Sequence, residues 1–78
     1  MAKAKGPTWE ERAARFLKAE LKRAGVTYEE LANRLKKHGL SETKASIANK
    51  LSRGTFSAVF FLATLAALGL GTIALEDV

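Results

Sequence analysis

The sequence predicts an all-α protein that folds as a compact bundle of four or five helices. The chain has 78 residues, of which 47% are hydrophobic, and this composition suffices for one small core. Few residues favour strands, and apolar residues recur at the three- and four-residue steps of an amphipathic helix. Helix start and stop residues divide the chain into a disordered basic arm (1–7), a helical domain (8–71) and a tail or short fifth helix (72–78).

The first helix is expected to begin after Thr8. Thr8 and Glu11 have the spacing of a capping box, in which each side chain accepts a hydrogen bond from the other residue's backbone N–H. Gly25 suits the helix end because glycine adopts positive φ without strain. Trp9 is assigned a packing role rather than a binding role. The predicted buried stripe comprises Trp9, Ala13, Phe16, Leu17, Leu21 and Ala24.

The middle of the chain is expected to form two capped helices joined by one glycine turn. A capping box of Thr27 and Glu30 begins the second helix. Gly39 is expected just past its end, and Ser41 is expected to cap a third helix that continues to Arg53. The short turn brings the two helices into contact, so we interpret this segment as a helix-turn-helix.

The third helix has two unlike faces. At about 100° per residue, Ile47, Ala48 and Leu51 share one side. Amide and guanidinium groups on the other side would contact base edges, whereas Lys and Ser typically hold phosphates. A solvated helix face has a similar composition, so the pattern alone leaves both interpretations open. The polar side carries Glu42, Ser46, Asn49, Lys50 and Arg53.

The predicted DNA-binding residues are polar side chains of this helix and of the helix starts near it. The starts of the first and second helices are expected to contact phosphates, because backbone N–H groups point outward there. For Tyr28 a position over the core is an equal alternative, since an aromatic ring at a first helical turn suits both roles. The full set is Tyr28, Ser41, Thr43, Lys44, Ser46, Asn49, Lys50 and Arg53.

Charge is distributed unevenly along the chain, which carries a net charge of +5. All thirteen basic residues and six of the eight acidic ones lie between Lys3 and Arg53, so this part carries +7. Glu76 and Asp77 give the remainder −2. A basic region attracts polyanions through counterion release. Duplex DNA is therefore the expected partner, and an anionic membrane surface is the competing one.

A fourth helix is expected between Ser57 as its N-cap and Gly69, and it is apolar on almost every side. Phe56 and Phe61 have the spacing of a hydrophobic staple. Spare apolar surface on residues 57–68 and on the tail is the expected interface of a homodimer. The predicted core comprises Phe16, Leu17, Leu21, Leu31, Leu35, Ile47, Leu51, Phe61, Leu62 and Leu65.

A membrane-anchored tail is an alternative interpretation of the same region. Residues 56–75 contain no charged side chain, and the stretch is long enough to span a bilayer. The cap at Ser57 and the glycines at 69 and 71 divide it, so we prefer a helix of about twelve residues. The chain begins without the apolar segment of a signal peptide, which predicts a cytoplasmic location.

The sequence predicts no catalytic, cofactor-binding or metal-binding residues. The single histidine, His38, lies at a helix end, and the chain has no cysteine. Glu10, Glu11, Glu29 and Glu30 all fall in first helical turns, where interaction with the helix end explains them. We therefore expect a binding protein and not an enzyme.

Three segments, LKRAGVTYEELANRL, IANKLSRG and FLATLAALGL, carry a family resemblance. Through them, residues 21–70 resemble the Cro/C1-type, lambda repressor-like helix-turn-helix family, in which Gly54 would close the recognition helix. Tyr28 departs from the glutamine usual in that family, and the connection after Ala32 is longer than usual. The chain is also similar to a group of small bacterial proteins of unknown function that share IANKLSRG and FSAxFFL.

These observations and the resemblance predict a DNA-binding transcriptional regulator that inserts residues 41–53 in the major groove. The alternative is a non-enzymatic adaptor that binds proteins or associates with membranes. In that case the basic surface would keep the chain soluble or attract acidic partners.

Overall fold

The computed structural model describes residues 6–78, and the first five residues of the predicted arm lie outside the described residues. Within residues 6–78 the chain forms four α-helices, a short 3-10 turn and no strand, so the all-α prediction is confirmed. The elements are α1 (Trp9–Ala24), α2 (Tyr28–Lys36), α3 (Lys44–Arg53), α4 (Ala58–Ala67) and the 3-10 turn (Leu75–Asp77).

Each α-helix begins at a Ser or Thr whose hydroxyl accepts a backbone N–H from the first helical turn. At α1 the predicted capping box is complete. The Thr8 N–H donates to Glu11 Oε1 over 2.8 Å, and the Glu11 N–H donates to Thr8 Oγ1 over 3.2 Å. At α2 only the Thr27 half forms, because the Glu30 carboxylate pairs with Arg34 at 3.0 Å.

The turn after α2 is closed by Gly39, as the sequence predicts. Its φ is 82°, in the left-handed region that favours glycine. The Leu40 N–H donates to the Leu35 carbonyl oxygen over 3.0 Å, and the Gly39 N–H donates to the Lys36 carbonyl oxygen at the same distance. This Schellman arrangement satisfies carbonyl groups at the helix end and directs the chain towards α3.

The start of α3 differs from the prediction, because Thr43 and not Ser41 is its N-cap. Ser41 is exposed in the connection that precedes the helix. A Thr43 cap places Ser46 at the third helical position, where its hydroxyl accepts the Thr43 N–H over 2.8 Å. A Ser41 cap would place Lys44 there, and an ammonium group cannot accept this bond. The better capping box therefore sets the helix start.

The core lies where all four α-helices meet. Helix α3 packs against α1 and α2, and α4 packs against α2 and α1. The Arg34 Nη1 donates to the Ala67 carbonyl oxygen over 3.1 Å, which ties α2 to the last turn of α4. The buried cluster comprises Phe16, Leu17, Leu21, Val26, Leu31, Ala32, Leu35, Ile47, Leu51, Phe60 and Leu65.

The rotation of α4 also differs from the prediction. Leu62 is 62% exposed and Phe61 is half-buried, whereas Phe60 is 1% exposed and belongs to the core. Because α4 is apolar on almost every side, its hydrophobic period does not indicate which side faces inward. Phe61 covers the edge of the core and stacks on Phe56 with ring centroids 6.2 Å apart, so the predicted staple is confirmed.

Trp9 and Ala24, predicted to be buried, are exposed at the two ends of α1. The Arg12 guanidinium lies 4.0 Å above the centroid of the Trp9 ring. The Arg12 Nε also donates to the Val78 carbonyl oxygen over 2.9 Å. Residues 75–77 form a 3-10 turn in place of a fifth α-helix, and Arg12 ties the end of this turn to α1.

An apolar face of α4, formed by Val59, Leu62 and Ala66, is exposed to solvent. Ile73 and Leu75 of the tail are exposed as well, and no charged residue lies between Gly54 and Leu75. Helix α4 has ten residues. No helix of residues 6–78 combines the length and the apolar composition that crossing a membrane requires.

Candidate nucleic-acid interface

The outward side of α3 is a small, polar surface. Buried Ile47 and Leu51 fix the rotation of the helix, so the side chains on the other side point to solvent. Two of these side chains are small, one is an amide and one is a guanidinium group. Such a surface can approach a groove closely and donate paired hydrogen bonds to base edges. The α3 outer face comprises Ala45, Asn49, Ser52 and Arg53, all of them exposed.

Gly54 fixes the end of α3 against the start of α1. It closes α3 with a φ of 72°, and its N–H donates to the Lys50 carbonyl oxygen over 2.9 Å. A Cβ atom at this position would lie 2.7 Å from the Glu10 carbonyl oxygen, which is too close for any residue with a side chain. The backbones of α1 and α3 therefore touch next to Arg53, and this contact positions one end of the α3 outer face.

Glu42 engages two of the predicted DNA-binding residues. Its side chain is 11% exposed, accepts a hydrogen bond from Ser46 Oγ over 2.6 Å and pairs with Lys50 Nζ at 3.0 Å. The Lys50 ammonium also lies 5.6 Å from the centroid of the Phe60 ring. Ser46 and Lys50 therefore support the start of α3 and its packing, and they lie beside the α3 outer face.

The other predicted site residues are spread along the chain. Lys44 is exposed at the first position of α3, and Ser41 and the cap residue Thr43 are exposed before it. Tyr28 is half-buried and packs against the core, which is the second of its two expected positions. Of the eight predicted residues, Asn49 and Arg53 alone belong to the α3 outer face.

Sequence reasoning missed Ala45 and Ser52, the small residues of this face. The outward side of a helix lies opposite its buried positions. With the inner side of α3 defined by Ile47 and Leu51, both residues fall on the outer side. Ala45 has no polar group by which to identify it, and the predicted polar side omitted Ser52.

A groove of about 210 Å³ runs between α1 and α3 beside the α3 outer face. Arg15 and Lys18 are exposed on its α1 side, and Arg53 is exposed on its α3 side. None of these three cations takes part in the three ion pairs that form within residues 6–78. The lining of this α1–α3 groove comprises Glu11, Ala14, Arg15, Lys18, Leu51, Ser52, Arg53 and Gly54.

The polar and basic side chains of the site lie on two helices, α1 and α3. His38 is exposed in the connection between α2 and α3. Within residues 6–78, no group of three or more His, Asp or Glu side chains is arranged to hold a metal ion. What the α3 outer face and the α1–α3 groove offer chemically is hydrogen-bond donation and positive charge.

Comparison with known proteins places the chain in a family. Residues 9–73 match the family described as a domain of unknown function, DUF6471. The chain belongs to the DUF6471 family. No curated protein and no solved structure matches the chain. The DUF6471 match begins at the first residue of α1 and includes all four α-helices, so both walls of the α1–α3 groove lie within it.

Proposed function

We propose that this DUF6471 domain is a DNA-binding transcriptional regulator that inserts α3 in the major groove of duplex DNA. In this proposal α2, the turn closed by Gly39, and α3 act as a helix-turn-helix of the lambda repressor-like kind. The inserted helix is Lys44–Arg53, which is shorter at its start than the predicted range of 41–53.

The observation that carries the proposal is the α3 outer face. An ordinary solvated helix face usually presents long charged side chains that form ion pairs with one another. This face instead presents Ala45 and Ser52 around the exposed amide of Asn49, with Arg53 at its end. Small side chains let the backbone approach the groove floor, and the amide and guanidinium groups match the hydrogen-bonding patterns of adenine and guanine.

The distribution of charge supports the same assignment. Lys44 and Arg53 lie at opposite ends of α3, and neither belongs to the three ion pairs formed within residues 6–78. Cations at both ends of an inserted helix can neutralise phosphates on the two sides of a groove. The net charge of +5 favours this association further.

Titration of the protein with duplex DNA at several salt concentrations tests the proposal. The logarithm of the binding constant should fall linearly with the logarithm of salt concentration. Lys44→Gln and Arg53→Gln should each flatten the slope by about 0.9, the value expected for one lost phosphate contact. Wild-type protein that shows no affinity for duplex DNA at low salt would overturn the proposal.

Asn49→Ala separates sequence recognition from phosphate binding. Loss of a bidentate contact with adenine should reduce discrimination between a selected site and a random duplex by about 1–3 kcal/mol. Non-specific affinity should change little, because the substitution removes no charge. Asn33→Ala makes the same chemical change at an exposed position of α2, outside the α3 outer face, and should keep the discrimination of wild-type protein. Equal discrimination by wild-type protein and Asn49→Ala would exclude Asn49 as a base-reading residue.

The adaptor interpretation predicts a different outcome. A protein that uses its basic surface for acidic partners or anionic vesicles should bind them as tightly as duplex DNA of equal charge. Its binding should then be insensitive to Asn49→Ala, because no base edge is contacted. The DNA titration and a vesicle titration under the same salt conditions therefore discriminate the two functions.

Self-association through α4 is a second part of the proposal. The apolar face of Val59, Leu62 and Ala66 has the three- and four-residue spacing of a helix-pairing seam. It carries no charge, so a second copy of this basic protein meets no like-charge repulsion there. A dimer would place two α3 helices on one duplex, which raises affinity through two half-sites.

A further inference from the structure

We infer that the α1–α3 groove is a phosphate-binding site, in which Arg15 and Lys18 of α1 act with Arg53 of α3 on the sugar-phosphate backbone of duplex DNA. The inference rests on the proposed function, and it adds α1 to the interface as a second element. The sequence indicated the start of α1 for this role. The structure points to the middle of the helix.

The charges on α1 indicate that its middle, and not its start, contacts phosphates. The first turn carries Glu10 and Glu11, which would repel a phosphate at that end of the helix. Arg15 and Lys18 follow in the next turns and share one side of the helix, since residues three or four positions apart face the same way. The backbone of DNA should therefore follow the middle of α1 and avoid its start.

The two cations are available to a ligand. Both side chains are exposed, and neither belongs to the three ion pairs found within residues 6–78. Glu11, which also lines the groove, accepts the Thr8 N–H over 2.8 Å and is held in the capping box of α1. The groove thus presents three cations that form no ion pair within residues 6–78 and a single carboxylate, which its hydrogen bond holds at the start of α1.

The groove is held in a fixed position relative to the α3 outer face. Ser52 and Arg53 belong to both surfaces, so a DNA strand that leaves the α3 outer face enters the groove directly. The backbone contact between Gly54 and Glu10 fixes the end of α3 on α1, and Ala14 and Leu51 are buried beneath. The part of α1 that carries Arg15 and Lys18 is therefore held next to the helix that would contact the bases.

The lining indicates a phosphate and not a base or another small molecule. The groove contains no aromatic side chain on which a base could stack. Its charged groups are guanidinium and ammonium groups, which bind phosphate oxygens strongly. Contacts of this kind set the position of a protein on DNA and do not depend on sequence.

Salt titrations of Arg15→Gln and Lys18→Gln with a selected duplex and a random duplex test the inference. Each substitution should flatten the salt dependence of binding by about 0.9 and weaken both duplexes by the same factor. Arg23→Gln is the matched control. It removes one charge from the same helix, but Arg23 pairs with Glu20 and does not line the groove. Its salt slope should equal that of wild-type protein.

Three outcomes would overturn the inference. The first is a salt slope for both groove variants equal to that of wild-type protein and Arg23→Gln, while Asn49→Ala still loses discrimination. This result would leave the proposed function intact and remove α1 from the interface. The second is a wild-type protein that does not bind duplex DNA, which overturns both proposals. The third is that both groove variants weaken binding to anionic vesicles and leave binding to duplex DNA unchanged, which would assign the groove to a membrane surface.

Folding of the variants is checked by thermal unfolding followed by circular dichroism. Arg15 and Lys18 are exposed and outside the described ion pairs, so both variants should unfold at the wild-type temperature. The charge-conserving variants Arg15→Lys and Lys18→Arg should keep the wild-type salt slope. A wild-type slope in these variants and a flatter slope in the Gln variants would show that the groove binds DNA through its charge.

Discussion

Thr64 is the one side chain within residues 6–78 with a fully buried polar atom that lacks a hydrogen-bond partner. It is 0% exposed, and its Oγ1 has no partner within the described chain. A buried hydroxyl without a partner loses its hydrogen bond with water and gains nothing in return. Thr64 therefore stabilises the core only by filling space.

Thr64→Val should stabilise the protein, because valine keeps the volume and removes the unpartnered hydroxyl. The free energy of unfolding, measured by urea denaturation, should rise by about 1–2 kcal/mol. Thr72→Val makes the same chemical change at an exposed position and should leave stability nearly unchanged. A loss of stability in Thr64→Val alone would mean that the hydroxyl contributes a bond to the folded state.

The corrected start of α3 also gives a prediction for single residues. Thr43→Ala removes the hydroxyl that accepts the Ser46 N–H over 3.0 Å, and should cost about 1 kcal/mol of stability. Ser41→Ala should cost close to nothing, since Ser41 is exposed and does not cap the helix. Urea denaturation of the two variants side by side measures the difference. A larger loss of stability for Ser41→Ala than for Thr43→Ala would indicate that Ser41 caps the helix, as the sequence predicted.

At the scale of elements, the contact between α1 and α3 depends on the absence of a side chain at one glycine. Gly54→Ala combines the strain of positive φ with a Cβ that would lie 2.7 Å from the Glu10 carbonyl oxygen. Gly39→Ala has the strain alone, because nothing lies within 4 Å of a Cβ at that position. Gly39→Ala therefore measures backbone strain alone, and the additional effect of Gly54→Ala measures the displacement of α3 from α1.

Gly39→Ala should cost about 1 kcal/mol, a usual value for left-handed strain, and Gly54→Ala should cost clearly more. Thermal or urea unfolding measures both costs. Amide shifts in an NMR spectrum should change along α1 and α3 in Gly54→Ala and stay local in Gly39→Ala. Equal costs with equally local shifts would show that α1 and α3 are not held together at this contact.

Sequence reasoning succeeded at most positions where local chemistry decides the structure, although it placed the start of α3 at Ser41 and not at Thr43. The caps at Thr8, Thr27 and Ser57 and the glycine at 39 each satisfy backbone groups within a few residues, so their spacing is visible in the chain. It failed at Phe60, because the sequence of an all-apolar helix does not indicate which side faces the core. The inward side of α4 is set by the helices that pack against it. It also missed Arg15, since only the packed fold brings α1 beside the end of α3.

At the scale of the whole molecule, the fold separates a basic surface from an apolar one. The cations of the proposed interface lie on α1 and α3, while the exposed apolar side chains of α4 and the tail carry no charge. Two copies would therefore repel each other through most surfaces and meet without repulsion through α4.

Leu62→Asp tests this arrangement. Leu62 is 62% exposed, so the substitution should leave the unfolding temperature of the single chain nearly unchanged and should prevent pairing by placing a charge in the seam. Sedimentation equilibrium over a range of protein concentrations should show dimers for wild-type protein and monomers for Leu62→Asp. Ala19→Asp adds the same charge at an exposed position of α1 and should stay dimeric. A wild-type protein that remains monomeric at every concentration would contradict self-association.

The backbone contact at Gly54 has a thermodynamic consequence for any ligand of the neighbouring surfaces. Because main-chain atoms meet there, α1 and α3 cannot move closer together when a partner binds, and both helices are already formed. Large negative heat-capacity changes accompany binding that is coupled to folding. Calorimetry at several temperatures should therefore record a heat-capacity change in proportion to the contact area alone, as expected for two rigid bodies.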